Sequence, residues 1–319
     1  MTSDPKTAER YAKCRTGNLA CVLGKTRLLG FAASAALSVG LLISEQVSAH
    51  PRLGHPKQTI GLPNSTEFMQ VGSQQQAPAG DFKRTWMGGF VYYPDGPTVM
   101  AGKISDNQPA LAALPANLPI VIYMHGCSGI NQASTISAKH YADAGFAVVL
   151  PNSFARTYKP TSCDPNIPRG GMHRGVLEWR HKELAHAIQQ IRSLPGGKDR
   201  PVVAHGFSEG AITVATFEGD APFKARIIEG WGCHSLWPEY RGLKARSGEP
   251  TLALVADNDP WFRSRALSGD CGAFMDSKRH RSVVYSGQDV LTNEHFLFRD
   301  VRVQKLVDTF LSNALASGN

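Results

Sequence analysis

Residues 201–217, PVVAHGFSEGAITVATF, decide the fold class of this 319-residue chain. A short apolar run at 201–205 leads directly into GFSEG, which centres on Ser208, and a helix-forming segment follows at once. Gly-x-Ser-x-Gly between a strand and a helix is typical of a sharp turn that lifts the serine hydroxyl above a sheet. A glycine-rich turn whose serine only caps the helix has the same letters, so the flanking segments have to separate the two interpretations.

Apolar runs alternate with helical segments on both sides of this motif. Continuous apolar runs suit strands buried on both faces, and the alternation favours a mostly parallel central sheet with helices on both faces. The predicted fold class is therefore α/β. Strands are predicted at 82–93, 120–124, 146–150, 201–205, 225–229, 251–256 and 282–285, and helices at 134–144, 176–194, 208–217 and 301–315.

The segments after Ser208 supply the partners that a serine nucleophile needs. A hydroxyl requires a general base, and the base requires an orienting acid. With this kind of turn the three residues follow in the order serine, acid, histidine. Asp259 comes just after the strand 251–256, and His295 lies in the loop after the strand 282–285. We therefore predict Ser208, Asp259 and His295 as a catalytic triad.

Other residues of the same types remain as alternatives. Asp257 is the second choice for the acid, because Asp259 precedes a proline at the tip of the turn, farther from the strand. His234 is the second choice for the base, but it precedes the candidate acid in the chain. His125 and His205 lie beside glycines at strand ends, where we expect them to shape turns.

Hydrolysis through a tetrahedral intermediate also needs donors for the oxyanion. The backbone N–H of Glu209 lies at the start of a predicted helix, where the helix dipole favours negative charge. The second donor is expected from the loop after the strand 120–124, and the N–H of Cys127 is the best candidate. Cys127 and Glu209 are therefore the predicted oxyanion donors.

The first 80 residues read as a targeting segment and an irregular lead-in. Basic residues precede an apolar, charge-free stretch at 28–43, and Val47-Ser48-Ala49 has small residues where signal peptidase cleaves. We predict a signal peptide over 1–49, because the apolar stretch is short for a permanent spanning helix. An uncleaved anchor or a buried helix is the alternative. Residues 50–80 are rich in Pro, Gly and Gln, and 81–319 form the predicted catalytic domain.

Charge and cysteine content narrow the function classes. The formal net charge of +8 is spread along the chain, so we expect no nucleic-acid partner. Four of the six cysteines follow the targeting segment, and an even number in an exported chain suggests two disulfides. There is no Cys-x-x-Cys pair, and we expect neither a metal nor a cofactor.

Together these residues resemble the dienelactone hydrolase family of the α/β hydrolases, from about Ile120 to Phe298. Within the family they are most similar to an exported branch with a His-Gly-Cys oxyanion loop. Asn152 stands where that branch has Asp, and Ser208 stands where better-known members have Cys. The matching positions are His125-Gly126-Cys127, Ser153-Phe154, Arg156, Cys163, Cys233, Asp259-Pro260-Trp261 and Cys271. Arg180 with Glu183, and His295-Phe296, match the branch loosely.

The resemblance implies an α/β-hydrolase fold and hydrolysis of a small-molecule carboxylic ester or lactone. The pairing expected for its cysteines is Cys127–Cys163 and Cys233–Cys271, each closing a loop of similar length. A peptidase or amidase of the same fold and a non-catalytic binding protein remain alternatives. Residues 152–175 form a long irregular loop whose role as a lid stays open, and we expect a periplasmic or secreted protein without a stable membrane anchor.

Overall fold

The structure, a computed structural model, describes residues 80–220 and 222–316. The predicted signal peptide at 1–49 and residues 50–79 of the predicted lead-in lie outside the described residues. Strands are β1 (Phe90–Asp95), β2 (Thr98–Lys103), β3 (Ile120–Met124), β4 (Ala147–Leu150), β5 (Val202–Phe207), β6 (Ala225–Glu229), β7 (Thr251–Ala256) and β8 (His280–Tyr285). Helices are α1 (Asp81–Met87), α2 (Gln108–Ala113), α3 (Gln132–Asp143), α4 (Gly175–Arg192), α5 (Glu209–Thr216) and α6 (Val301–Ala316).

The strands form one eight-stranded sheet in the order β2-β1-β4-β3-β5-β6-β7-β8. All pairings from β4 to β8 are parallel, whereas β1 runs antiparallel to both β2 and β4. The predicted mostly parallel sheet is confirmed, and with it the α/β-hydrolase fold.

Helices cover both faces of the sheet, and alternate side chains of β3 point into the two cores on these faces. Val121 and Tyr123 point to one core, where α3 and α6 pack. Ile120, Ile122 and Met124 point to the other, where α1, α2, α4 and α5 pack. All five side chains are completely buried, which is why this strand reads as an unbroken apolar run rather than an alternating one.

The segment predicted as one strand at 82–93 was wrong in its first half. Residues 81–87 form α1, whose first turn carries the ion pair between Asp81 and Arg84, three positions apart. The helix ends at Gly88-Gly89, and a side chain at Gly89 would overlap the carbonyl of Leu150. The aromatic residues that suggested a strand therefore belong to two elements joined by a glycine pair.

Residues 95–118, which gave no clear element from the sequence, contain β2 and α2. Their side chains contribute little to the central core, since only Ile104, Leu111 and Leu114 are buried apolar residues in this part. No helix in the described ranges is long and apolar enough to span a membrane.

Candidate active site

Ser208 lies at a strained turn between β5 and α5. Its backbone has φ 56° and ψ −117°, a combination that costs a non-glycine residue energy and is kept where the surroundings impose it. The Ser208 N–H donates to the carbonyl oxygen of Glu229 at 2.8 Å. Side chains at Gly206 and Gly210 would overlap the carbonyl oxygens of Gly210 and Met124, respectively. Both glycines of the motif are therefore required by close backbone approach.

The turn stands where the connections of the sheet change direction. The chain leaves β3 for β4 on one side, and β5 lies on the other side of β3. In open parallel sheets the crevice at the carboxyl ends of two such strands is the usual ligand site. The loop at 125–129 and Ser208 follow these two strand ends, and Ser208 itself is only 8% exposed.

The structure brings Asp259 and His295 together. His295 Nδ1 lies 2.7 Å from Asp259 Oδ2, and the other oxygen of the carboxylate accepts the Trp261 N–H at 2.9 Å. Asp259 is buried, whereas the alternative acid Asp257 is exposed. His295 Nε2 is buried and has no hydrogen-bond partner within the described part of the chain. This imidazole therefore has one nitrogen fixed by a carboxylate and the other available.

Aromatic rings hold His295 against the end of β5. Its ring stacks on Trp261, with centroids 5.2 Å apart, and lies 5.0 Å from the ring of Phe207, which precedes Ser208. Gly230 has φ 67°, and a Cβ there would lie 3.2 Å from His295 Cε1. The histidine thus occupies space that a side chain at position 230 would take. Within the described residues no hydrogen bond joins Ser208 to His295.

The loop after β3 packs against Ser208. A Cβ at Gly126 would lie 3.4 Å from the Cβ of Ser208. The Gly126 carbonyl is turned away from the nucleophile, since it accepts the Gly129 N–H at 3.1 Å and faces His125 Nδ1 at 2.6 Å. This peptide bond is trans, so the Cys127 N–H points in the direction opposite to the Gly126 carbonyl.

The two predicted oxyanion donors, Cys127 and Glu209, line one pocket together with Ser208. Neither backbone N–H makes a hydrogen bond within residues 80–220 and 222–316. Two unpaired amides beside a hydroxyl are what an oxyanion site requires.

His125 fixes this loop as a neutral imidazole. Burial, and then the nearby Arg180, hold the pKa of His125 well below its ordinary value. Its Nε2 accepts the Ser153 N–H at 3.1 Å, so the proton is on Nδ1, which donates to the Gly126 carbonyl. We expected His125 to shape a turn; it does so by joining the loop to the start of residues 152–175.

Two arginines and two glutamates lie next to this loop, and their formal charges cancel. Arg180 bonds Glu209 at 3.0 Å and also donates to the His125 carbonyl. Arg156 lies 3.1 Å from Glu183, and burial raises the pKa of Glu183. Because all but Glu209 are at least 96% buried, each charge needs its partner. No chemical pattern in the sequence groups these residues, although the family resemblance already includes Arg156, Arg180 and Glu183.

The pocket beside Ser208 has a volume of about 290 Å³ and a largely apolar lining. Trp231, Trp237 and Trp261, which follow predicted strands, all line it. The irregular loop at 152–175 forms part of the wall through Gly170, Gly171 and His173. The lining is completed by Cys127, Leu177, Ser208, Glu209, Ile212, His234, Ser235, Leu236, Phe262 and Leu267, so no lysine or arginine of the described chain faces it.

The four cysteines of the described chain form the two expected pairs at disulfide distance. Cys127 and Cys163 have Cα atoms 5.9 Å apart, and Cys233 and Cys271 have Cα atoms 4.9 Å apart. The first pair joins the loop at 125–129 to the loop at 152–175. No group of histidine, cysteine and acidic residues suited to a metal ion occurs in the described ranges.

The other histidines considered from the sequence have different partners. His234 lines the pocket, 5.2 Å from the ring of Phe274, and a Cβ at Gly269 would lie 2.6 Å from its Nε2. His205 is completely buried within β5 and so does not shape a turn, contrary to expectation. Its polar contacts run into the core, because it bonds Tyr141 and Glu229.

Several solved structures are similar to this chain. A Thermus thermophilus protein is 14% identical, covering 63% of this chain and 90% of that one, with a TM-score of 0.43. The esterase Pf2001 of Pyrococcus furiosus is 12% identical over 62% and 83% of the two chains, with a TM-score of 0.42. Est1E of Butyrivibrio proteoclasticus is 16% identical over 64% and 91%, with a TM-score of 0.41.

A comparison with curated protein sequences found no match. The model of the dienelactone hydrolase family matches residues 109–289. This range is more than half of the 319 residues and includes Ser208 and Asp259, while His295 follows it. The chain is therefore a hydrolase of the α/β fold and belongs to the dienelactone hydrolase family.

Proposed function

We propose that this protein is a serine hydrolase that cleaves a small-molecule carboxylic ester or lactone through an acyl-enzyme on Ser208. The observation that carries the proposal is the hydrogen-bonded pair of His295 and the buried Asp259, 2.7 Å apart, together with a serine held at a positive φ in the turn after β5. A bound carboxylate fixes the proton on His295 Nδ1, which leaves Nε2 as the base.

The proposed reaction has two halves. His295 Nε2 takes the Ser208 proton while Oγ attacks the carbonyl carbon, and the oxyanion lies between the amides of Cys127 and Glu209. The imidazolium then protonates the leaving alcohol, which departs and leaves the acyl group on Ser208. In the second half His295 removes a proton from water, the water attacks the acyl carbon, and Ser208 regains its proton as the acid leaves.

The pocket favours an uncharged, apolar substrate group. Its lining includes three tryptophans and no lysine or arginine of the described chain, so the pocket offers a substrate carboxylate no permanently charged partner. The only carboxylate in the lining, Glu209, already bonds Arg180. An oxygen ester is favoured over an amide because an alcohol is the better leaving group. The amide reading remains the second candidate.

We further propose that the protein acts outside the cytoplasm after residues 1–49 are removed, with 81–319 as the catalytic domain. Two cysteine pairs at disulfide distance support an oxidising compartment. N-terminal sequencing of the protein from its native host is expected to give a chain that starts at His50. A chain that still begins near Met1 would contradict cleavage.

The decisive experiment on the reaction compares the wild type with Ser208→Ala. The substitution is expected to lower kcat for a neutral acyl ester by at least about 10³-fold, because the three residues act as a unit. A fluorophosphonate should label the wild type on Ser208, as read by mass spectrometry, and leave the variant unlabelled. Label on another residue, or full activity in the variant, contradicts this mechanism. A wild type that hydrolyses no ester but cleaves aminoacyl amides favours the amidase.

A further inference from the structure

Glu229 is a buried carboxylate that the proposed reaction does not use. It ends β6, is completely buried, and lines no part of the pocket. Burying an isolated carboxylate is costly unless donors surround it. Its neighbours therefore indicate what it holds in place.

One carboxylate oxygen of Glu229 binds the loop that carries His295. Oε1 accepts the backbone N–H groups of Leu297 and Phe298, both at 2.7 Å. These residues lie two and three positions after the histidine. A charge-assisted bond of this length to each of two successive amides fixes the path of the loop. Leu297 and Phe298 are themselves completely buried, so this segment enters the core directly after His295.

The other oxygen binds a donor whose tautomer is fixed. Glu229 Oε2 lies 3.1 Å from His205 Nε2, and Tyr141 Oη lies 2.9 Å from His205 Nδ1. A carboxylate oxygen only accepts, so His205 Nε2 donates to Glu229 and the Tyr141 hydroxyl donates to Nδ1. The His205 proton is therefore on Nε2, and the Glu229 carboxylate receives three hydrogen bonds in all.

The backbone of the same residue binds the nucleophile. The Glu229 carbonyl accepts the Ser208 N–H at 2.8 Å, and His205 lies three residues before Ser208 on the neighbouring strand. The next residue, Gly230, has φ 67° and lies under the ring of His295. Glu229 thus contacts the serine through its backbone and the histidine loop through its side chain.

We propose that Glu229 is a positioning residue that sets the distance between the serine nucleophile and the histidine base. This inference rests on the proposed function in that it assigns those roles to Ser208 and His295. His295 has ring contacts and, within the described chain, one hydrogen bond, to Asp259. A change in the path of its loop therefore moves Nε2. A misplacement of about 1 Å can lower a reaction rate about 10²-fold.

The chain offers a matched control in Glu249. This second buried glutamate also accepts two backbone N–H groups, from Phe223 at 2.6 Å and from Arg246 at 3.1 Å, and it bonds Arg226 at 3.0 Å. Arg226 is near the start of β6, so Glu249 lies at the opposite end of the strand from Glu229. Loss of its charge removes the same kind of interaction away from the site.

The test compares Glu229→Gln with Glu249→Gln in the full chain. In Glu229→Gln the amide NH₂ and the His205 Nε2–H are both donors, so the network loses its fit. We expect both variants to unfold at a lower denaturant concentration than the wild type. Only Glu229→Gln should lower kcat, by about 10²-fold, with KM changed less than about threefold. Glu229→Asp keeps the charge but has a shorter reach, and it should fall between the wild type and the glutamine variant.

A readout that needs no substrate separates this inference from the proposed function. The His295 Nδ1 proton is followed by NMR and assigned by its loss in His295→Gln. It should shift or broaden in Glu229→Gln and Glu229→Asp, and stay unchanged in Glu249→Gln. An unchanged proton signal in both Glu229 variants, or equal kcat in the Glu229 and Glu249 variants, overturns the positioning role. A wild type that is inactive on esters refutes the proposed function instead, and the proton signal still decides the inference.

Discussion

The two sides of the candidate active site are held in different ways. On the oxyanion side, the loop at 125–129 is tied by the Cys127–Cys163 pair, by the neutral His125 and by Arg180. On the histidine side, His295 has one hydrogen bond, to Asp259, together with ring contacts and a loop bound to Glu229. On the first side a cysteine pair, a hydrogen-bonded imidazole and an arginine each hold the same loop. On the second side one carboxylate holds the His295 ring and another holds the loop that carries it.

The chemistry of each side accounts for this difference. An oxyanion donor is a backbone N–H, which has no side chain of its own to fix, so the whole loop has to be immobilised. A base is a side chain whose ring orientation and tautomer can be set by a single carboxylate. We therefore expect single substitutions to be more damaging on the histidine side than on the oxyanion side.

The largest effect that would sharpen this comparison is expected from Asp259→Asn. Asparagine can donate to Nδ1 and so favours the wrong tautomer of His295, and it no longer stabilises the imidazolium. We expect kcat to fall by about 10³–10⁴-fold while the substrate KM changes little. Steady-state kinetics on a neutral ester, with circular dichroism to check folding, measures this effect.

Asp257→Asn is the matched control, because it makes the same change two residues away at an exposed position. Its kcat should stay within about twofold of the wild type. If Asp257→Asn were the crippled variant instead, the acid would be assigned to the wrong carboxylate of this turn.

The sequence was sufficient for those parts of the molecule that local pattern determines. The strand predicted at 251–256 coincides with β7, whose buried residues form an apolar run after Thr251. The strand predicted at 225–229 coincides with β6, although Arg226 and Glu229 interrupt its apolar residues. The position of Asp259 in the turn made it the preferred acid over Asp257, and in the structure its Oδ2 lies 2.7 Å from His295 Nδ1. The strand predicted at 82–93 was wrong in its first half, because aromatic residues suit a helix that buries Trp86 as well as a strand.

Long-range polar contacts could not be predicted from the sequence. Glu229 reads as the polar end of an apolar strand, and nothing near it in the chain indicates that it binds amides 68 and 69 residues later. The partnership of Arg180 with Glu209 likewise joins a helix to the turn after Ser208, 29 residues apart. Such pairs are set by how elements pack, and only the family resemblance pointed toward Arg180.

The smallest expected effect tests the oxyanion side and uses the two cysteine pairs against each other. They close chain segments of almost equal length, with separations of 36 and 38 residues. The chain-entropy model therefore gives them almost the same contribution, roughly 3–4 kcal/mol each. Cys127→Ser with Cys163→Ser and Cys233→Ser with Cys271→Ser should show similar losses in the free energy of unfolding, as measured by denaturant titration.

Activity should distinguish the two pairs. Cys127 carries a proposed oxyanion donor and lines the pocket, whereas Cys233 and Cys271 are completely buried beside Trp231. Loss of the first pair frees one tie of the loop but leaves His125 and Arg180 in place, so we expect kcat per folded molecule to fall only about tenfold, below the roughly 10²–10³-fold cost of losing a donor outright. Loss of the second pair should leave kcat within about twofold. If kcat in the Cys127 and Cys163 variant fell as far as in Asp259→Asn, the disulfide alone would hold the loop at 125–129. That result would contradict the stabilising role assigned to His125 and Arg180.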